Sequence, residues 1–205
     1  MAKNNYHFIT HWHVEGKLED VTDIIGDARR LARWWPAVYL DVRVLKEGEK
    51  SGLGWVVDLY TKGWLPYTMH WHLEVIEVCA DGFTLVAHGD FEGHGIWTFT
   101  QEGPWVHAIY DWKVSAEKPL MRYFSFLVKP LFSANHHWAM AKGEQSLKLE
   151  LARRAATTAQ ERARIPAPPQ PTTTSSVPLL LGTMGALVVV GSAGYFVGKW
   201  FLRRY

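Results

Sequence analysis

Tyr67-Thr68-Met69-His70-Trp71-His72-Leu73-Glu74-Val75-Ile76 alternates over ten residues, with Tyr67, Met69, Trp71, Leu73 and Val75 on one side and Thr68, His70, His72, Glu74 and Ile76 on the other. Successive side chains of a strand point to opposite faces, so this pattern predicts a strand with one dry and one wet face. The strand extends over Tyr67–Val78 and ends before Asp81-Gly82, a hairpin turn signal. The same reading applies to both sides of it. Val38–Leu45, Trp55–Tyr60, Phe83–His88, Gly95–Thr100 and Trp105–Val114 read as strands, separated by short Gly- and Pro-bearing turns. Near the start, Phe8, Thr10, Trp12 and Val14 alternate with Ile9, His11 and His13 as a first strand.

Two short helices follow the first strand. Leu18, Val21, Ile24 and Ile25 recur at helical spacing, and Ala28–Trp34 stops at Trp35-Pro36 because a residue before proline avoids the helical region. A longer helix is predicted from about Ser133 to Arg154, after a break at Pro130. Its stripe is Phe132, His136, Met140, Gly143, Leu147 and Leu151. The fold class is therefore α+β: a curved antiparallel sheet of about seven strands wrapped on one long C-terminal helix. A sheet with one dry face must bury it, and a single long helix covers it. A sheet curved round a helix often leaves a cavity between them.

Three further segments divide the chain. Residues 1–155 form the globular domain. Residues 156–176, rich in Pro, Thr and Ser, read as a partly extended linker that builds no core. Residues 177–198 hold no charge over 22 residues, the length of a transmembrane helix, and residues 199–205 are a basic aromatic tail. The membrane is thus an expected partner through residues 177–198. Gly194-x-x-x-Gly198 and Gly182-x-x-x-Ala186 in that run would let membrane-protein partners approach closely.

Met1-Ala2-Lys3-Asn4-Asn5 leads into the first strand without an apolar signal region, and the lone Cys79 fits a reducing compartment. Both place the domain in the cytoplasm, as a single-pass protein with a C-terminal anchor. Lys199, Arg203 and Arg204 argue the other way under the positive-inside rule. Formal charge is +2 overall; removing +3 for the tail and +1 for the linker leaves −2 for the domain, which disfavours a nucleic-acid partner.

Four segments carry a family resemblance: Arg33-Trp34-Trp35-Pro36, Tyr60-Thr61-Lys62-Gly63-Trp64-Leu65-Pro66-Tyr67, Gly89-Asp90-Phe91-Glu92-Gly93-His94-Gly95-Ile96-Trp97, and Lys129-Pro130-Leu131-Phe132-Ser133-Ala134-Asn135-His136-His137-Trp138. With the order of elements, they resemble the START/polyketide cyclase (SRPBCC, Bet v 1-like) superfamily. In particular they look like bacterial proteins of the polyketide cyclase/dehydrase and lipid transport type. The resemblance runs from about residue 6 to 153. It implies the helix-grip fold and a cavity for a lipid, isoprenoid, polyketide or similar hydrophobic small molecule. Trp-Trp-Pro marks the fold and no particular reaction, and a C-terminal anchor is not usual among members.

Eleven tryptophans, ten of them before the linker, make aromatic packing the dominant chemical signal. Trp12, Tyr67, Met69, Trp71, Tyr110 and Trp112 share the concave face, and His136 and Met140 face them from the helix. These eight are the candidate ligand-binding residues. The alternative is that the aromatics only fill the core. His136 is also the candidate acid–base, or else a histidine satisfied by a neighbour. His11-Trp12-His13 and His70-Trp71-His72 put histidines at i and i+2. With the tryptophans inward they point outward from strands that are not neighbours, so no metal and no cofactor is expected. Asp58, Asp90, Glu92 and Asp111 read as exposed or ion-paired, the alternative being a buried pair for the acid–base work a cyclase needs. Leu120–Lys129 is expected to pack at the mouth of the barrel rather than lie on the bilayer as an amphipathic helix, with a mouth opening toward lipid as the sharper variant. The leading reading is a membrane-anchored binding or transport protein for a hydrophobic ligand, without turnover. A cyclase/dehydratase-like enzyme and an accessory subunit of a larger membrane complex are the alternatives.

Overall fold

A computed structural model describes residues 5–116 and 125–173. Seven strands form one antiparallel sheet: β1 (Asn5–Glu15), β2 (Tyr39–Lys46), β3 (Val56–Lys62), β4 (Thr68–Cys79), β5 (Gly82–Gly89), β6 (Phe91–Glu102) and β7 (Trp105–Ala116). Their spatial order is β1-β7-β6-β5-β4-β3-β2. Between β1 and β2 come α1 (Leu18–Gly26), a 3₁₀ turn (Ala28–Arg30) and α2 (Leu31–Trp34). A long helix, α3 (Ser125–Ala155), and a short one, α4 (Ala159–Arg164), complete the described chain. The expected α+β architecture is present: a seven-stranded sheet with one long C-terminal helix.

The stretch Tyr67–Val78 becomes β4, and its alternation is reproduced in burial. Met69, Trp71 and Leu73 are buried, while His70 is exposed. On β1, Tyr6, Phe8, Trp12 and Val14 are buried and the histidines between them are exposed. The dry face is therefore continuous across the sheet, and α3 supplies Phe132, Met140, Leu147 and Leu151 to the same core. The antiparallel register gathers the start of β1, β2, β4 and β6 and the end of β3, β5 and β7 at one end of the sheet.

Two features differ from the sequence reading. Pro130 does not break the chain, since the described helix α3, Ser125–Ala155, runs through it. A proline inside a helix removes one hydrogen-bond donor, and the described helix continues past that lost rung. Residues 156–172 also do more than link. Thr158 and Glu161 form a reciprocal capping box at the start of α4. Beyond α4, Arg153 donates to the carbonyl of Pro166. Farther on, Lys62 Nζ donates to the Thr172 carbonyl at 2.9 Å, and Thr172 Oγ1 donates to the Gly63 carbonyl at 3.2 Å. The segment is a strap laid back on the domain.

The apolar run 177–198, the tail 199–205 and residues 120–124 of the Leu120–Lys129 segment lie outside the described residues. Among the described residues no helix is long and apolar enough to cross a membrane.

Candidate functional site

The cavity lies between the sheet and α3, toward the end where β3 finishes and β4 starts. Its volume is about 100 Å³. Tyr67, Met69, Trp71, Tyr110, Trp112, His136 and Met140 all line it, so seven of the eight candidate residues meet in one place. A second void of about 80 Å³ adjoins it and shares Trp35, Tyr39, Trp71, Tyr110 and Met140.

Trp12, the eighth candidate, sits elsewhere. It is 2% exposed and wedged between Trp35 and Trp97, at centroid distances of 5.5 and 5.1 Å. It lines neither void. Strand alternation assigns it to the dry face correctly, but alternation cannot separate residues that wall a void from residues packed behind them.

The walls are held by aromatic contacts. Trp97 stacks on Tyr110 at 4.4 Å and Tyr110 on Trp112 at 5.6 Å, down alternate positions of β6 and β7. Trp71 and Phe91 meet edge-on at 5.4 Å. Trp71 is further fixed by its indole N–H, which donates to Thr61 Oγ1 at 3.0 Å. Offset and edge-on pairs of this kind are the favoured aromatic geometries. The arrangement also shows what the sequence reading omitted. Trp35, Tyr39, Thr61, Phe91 and Asn135 are liners too. Trp35 was legible, as part of the Trp-Trp-Pro element; the others needed the register of β2, β3 and β6 and the rotation of α3.

Tyr67 and His136 are two of the polar liners. The Tyr67 hydroxyl is buried and has no hydrogen-bond partner among the described residues. Burial raises its pKa well above the ordinary phenol value, so it stays a neutral donor. His136 stacks on Phe8 at 4.0 Å, and its Nε2 lies 3.5 Å from Thr10 Oγ1, a long contact. Burial, with a lesser contribution from neighbouring His137, pushes its pKa down to about 3. At neutral pH the imidazole is uncharged and offers one donor and one acceptor.

Among the described residues no carboxylate lines the cavity. Asp111 is on the outer face, 2.8 Å from His7 Nε2 and 3.4 Å from Lys113. Asp58 Oδ1 lies 2.7 Å from His70 Nε2 and 3.0 Å from His72 Nδ1, close in distance but poorly aligned as hydrogen bonds. Asp90 accepts from the His70 amide at 2.8 Å, and Glu92 from the Gly89 amide at 2.8 Å. Among the described residues no group of three or more His, Cys, Asp or Glu side chains is arranged to hold a metal ion.

The architecture is shared with solved structures. TTHA0849 from Thermus thermophilus superposes with a TM-score of 0.58 at 16% identity, covering 75% of this chain and 100% of that one. The ZhuI aromatase/cyclase from Streptomyces sp. R1128 gives a TM-score of 0.57 at 15% identity, covering 76% and 98%. A START superfamily protein from Mycobacterium smegmatis gives 0.57 at 16%, covering 71% and 96%. This is the helix-grip fold. No protein-family description matches the sequence, and no curated protein does. At these identities the helix-grip likeness establishes architecture alone, and the chemistry rests on the residues of the cavity.

Those residues set a size and a polarity. Pockets for drug-sized ligands are roughly 300–1,000 Å³, whereas an apolar cavity of about 150 Å³ takes up benzene. The cavity here, at about 100 Å³, is smaller than both. The tryptophans fill most of the interior and wall what is left.

Proposed function

We propose that this protein binds a hydrophobic small molecule by seating a ring-sized apolar group between the sheet and α3, and that it does so at a membrane, held by residues 177–198. The observation that carries the reading is the cavity walled by Trp71, Tyr110 and Trp112, with the unpartnered Tyr67 hydroxyl and a neutral His136 among its liners. Aromatic faces favour a flat apolar group, and a buried donor without a partner favours a ligand carrying a carbonyl or hydroxyl oxygen.

The same geometry favours binding over turnover. A general base at neutral pH works best with a pKa near 7, and His136 lies far below that. The carboxylates that would assist it are on the other face of the sheet or at its edge. The same proposal puts the domain on the cytoplasmic side, a placement supported by the lone Cys79, which suits a reducing compartment.

Native mass spectrometry of the full chain, extracted in mild detergent, tests the reading. The expected result is a co-purifying apolar molecule that is lost in Ala139→Phe, which places a ring into the cavity from α3. Equal occupancy in both forms would remove the cavity from consideration.

A further inference from the structure

The strap determines where the chain leaves the domain. Lys62 and Gly63 line the cavity, and Lys62, the one charged liner among the described residues, is half-buried, marking where the cavity meets solvent. Thr172 is hydrogen-bonded to both, through its carbonyl and its hydroxyl. The chain therefore departs at the cavity mouth, although α3 ends at Ala155. Only residues 173–176 separate Thr172 from the uncharged run that begins at Val177. Those five steps reach at most about 17 Å at roughly 3.4 Å per residue. A free linker over 156–176 would set no such limit and would leave the domain free to turn.

The rim around this exit has the chemistry of a bilayer interface. Leu131 is 48% exposed, one residue before the cavity-lining Phe132. Lys129 is exposed above the Tyr6 ring at 5.9 Å. Trp64 is half-buried in the turn after Lys62. Lysine, tryptophan and exposed leucine are residue types that settle at the headgroup level. Asp90 and Glu92 stand at the β5–β6 corner of the same end, and both accept hydrogen bonds from backbone amides there. The lipid-compatible side of the rim is thus the one formed by β3 and α3.

We infer that the β3–α3 rim, with Lys62, Trp64, Lys129 and Leu131, is a docking surface for a lipid bilayer, held against it by the strap so that the cavity mouth opens onto the headgroups. The inference rests on the proposed membrane-side binding function and specifies how the ligand enters, directly from the bilayer.

Cys79 makes the test possible, because it is the sole cysteine, exposed, and at the far end of β4. β4 starts beside the mouth at Thr68 and spans about 36 Å at roughly 3.3 Å per residue. The full chain would be reconstituted into phosphatidylcholine–phosphatidylglycerol vesicles carrying headgroup nitroxide lipids. A fluorophore is placed either on native Cys79 or on Leu131→Cys in a Cys79→Ser background. Strong quenching at position 131 and little at Cys79 is the expected result. Equal quenching, stronger quenching at Cys79, or failure of the chain to float with the vesicles would overturn it. Ligand occupancy is read separately in detergent. Occupancy without the quenching difference removes this inference alone, and the quenching difference without occupancy removes the cavity reading alone.

Discussion

A Cβ built on Gly143 would lie 2.4 Å from Cζ2 of Trp35 and 2.7 Å from Cζ2 of Trp12. The long helix meets the Trp-Trp-Pro element at a position where only hydrogen fits. The same element is tied to α3 a second time, by Arg33, which donates to the buried Glu150 carboxylate at 2.5 Å. Gly143→Ala therefore sets two effects against each other. Alanine gains about 1 kcal/mol over glycine inside a helix, whereas overpacking a well-filled core costs about 1–3 kcal/mol. Both contacts are to indole atoms walled in by other rings, so the steric cost wins. The variant should be less stable by about 1 kcal/mol or more, measured as a lower urea midpoint at unchanged slope.

His136 makes stability depend on pH in a defined window. Its pKa is about 3 in the folded protein against an ordinary value of 6.5. Below pH 6.5 the unfolded chain takes up a proton that the native state refuses, so stability is constant above that pH and falls as pH drops from about 6.5 toward about 3. The limiting slope is about 1.4 kcal/mol per pH unit from this group. Urea titrations at pH 7.5 and pH 5 should differ by up to about 2 kcal/mol more in the native protein than in His136→Gln. An equal pH effect in the two would show that His136 is charged or exposed when folded.

Tyr67→Phe separates stability from binding. The hydroxyl is buried without a partner among the described residues, and removing an unsatisfied buried group is neutral or stabilising. Thermal unfolding of the unliganded variant should match or slightly exceed the native protein. Affinity for a phenol or naphthol probe, followed by tryptophan fluorescence, should fall about fivefold to tenfold, the worth of one hydrogen bond. Loss of stability with unchanged affinity would place the hydroxyl in an internal bond.

Asn135 holds the loop at the cavity mouth. Its Oδ1 accepts from the Leu65 amide at 3.1 Å, and its side chain occupies the space a Cβ on Gly63 would need. Asn135→Ala leaves that amide without a partner at a cost of about 1–3 kcal/mol. Hydrogen exchange at Leu65 should rise by an order of magnitude or more, with β6 and β7 unaffected. Uniform faster exchange would indicate global destabilisation instead.

Much of this protein is legible along the chain. The alternation in Tyr67–Val78 and the stripe from Phe132 to Leu151 are local patterns, repeated every two and every three to four residues. The burial they encode is the same wherever the neighbouring elements lie. That is why the dry faces of β1, β4 and β7 and the inward position of His136 could be read directly. Residues 156–172 were less legible. Their Pro/Thr/Ser composition suits a free linker, and only contacts with Lys62 and Gly63, more than a hundred positions away, turn them into a strap.

By itself, then, the sequence determined the fold class, the aromatic inner face and the uncharged run at 177–198, because each depends on residue type and short-range period. Tertiary structure alone decided the rest. It placed Trp12 behind the wall while Trp71 and Trp112 form it, and left a void of about 100 Å³ beside them. It also brought Thr172 to the cavity mouth. These depend on sheet curvature, strand register and the rotation of α3 about its axis, which are set by how side chains from distant segments pack at close to solid density.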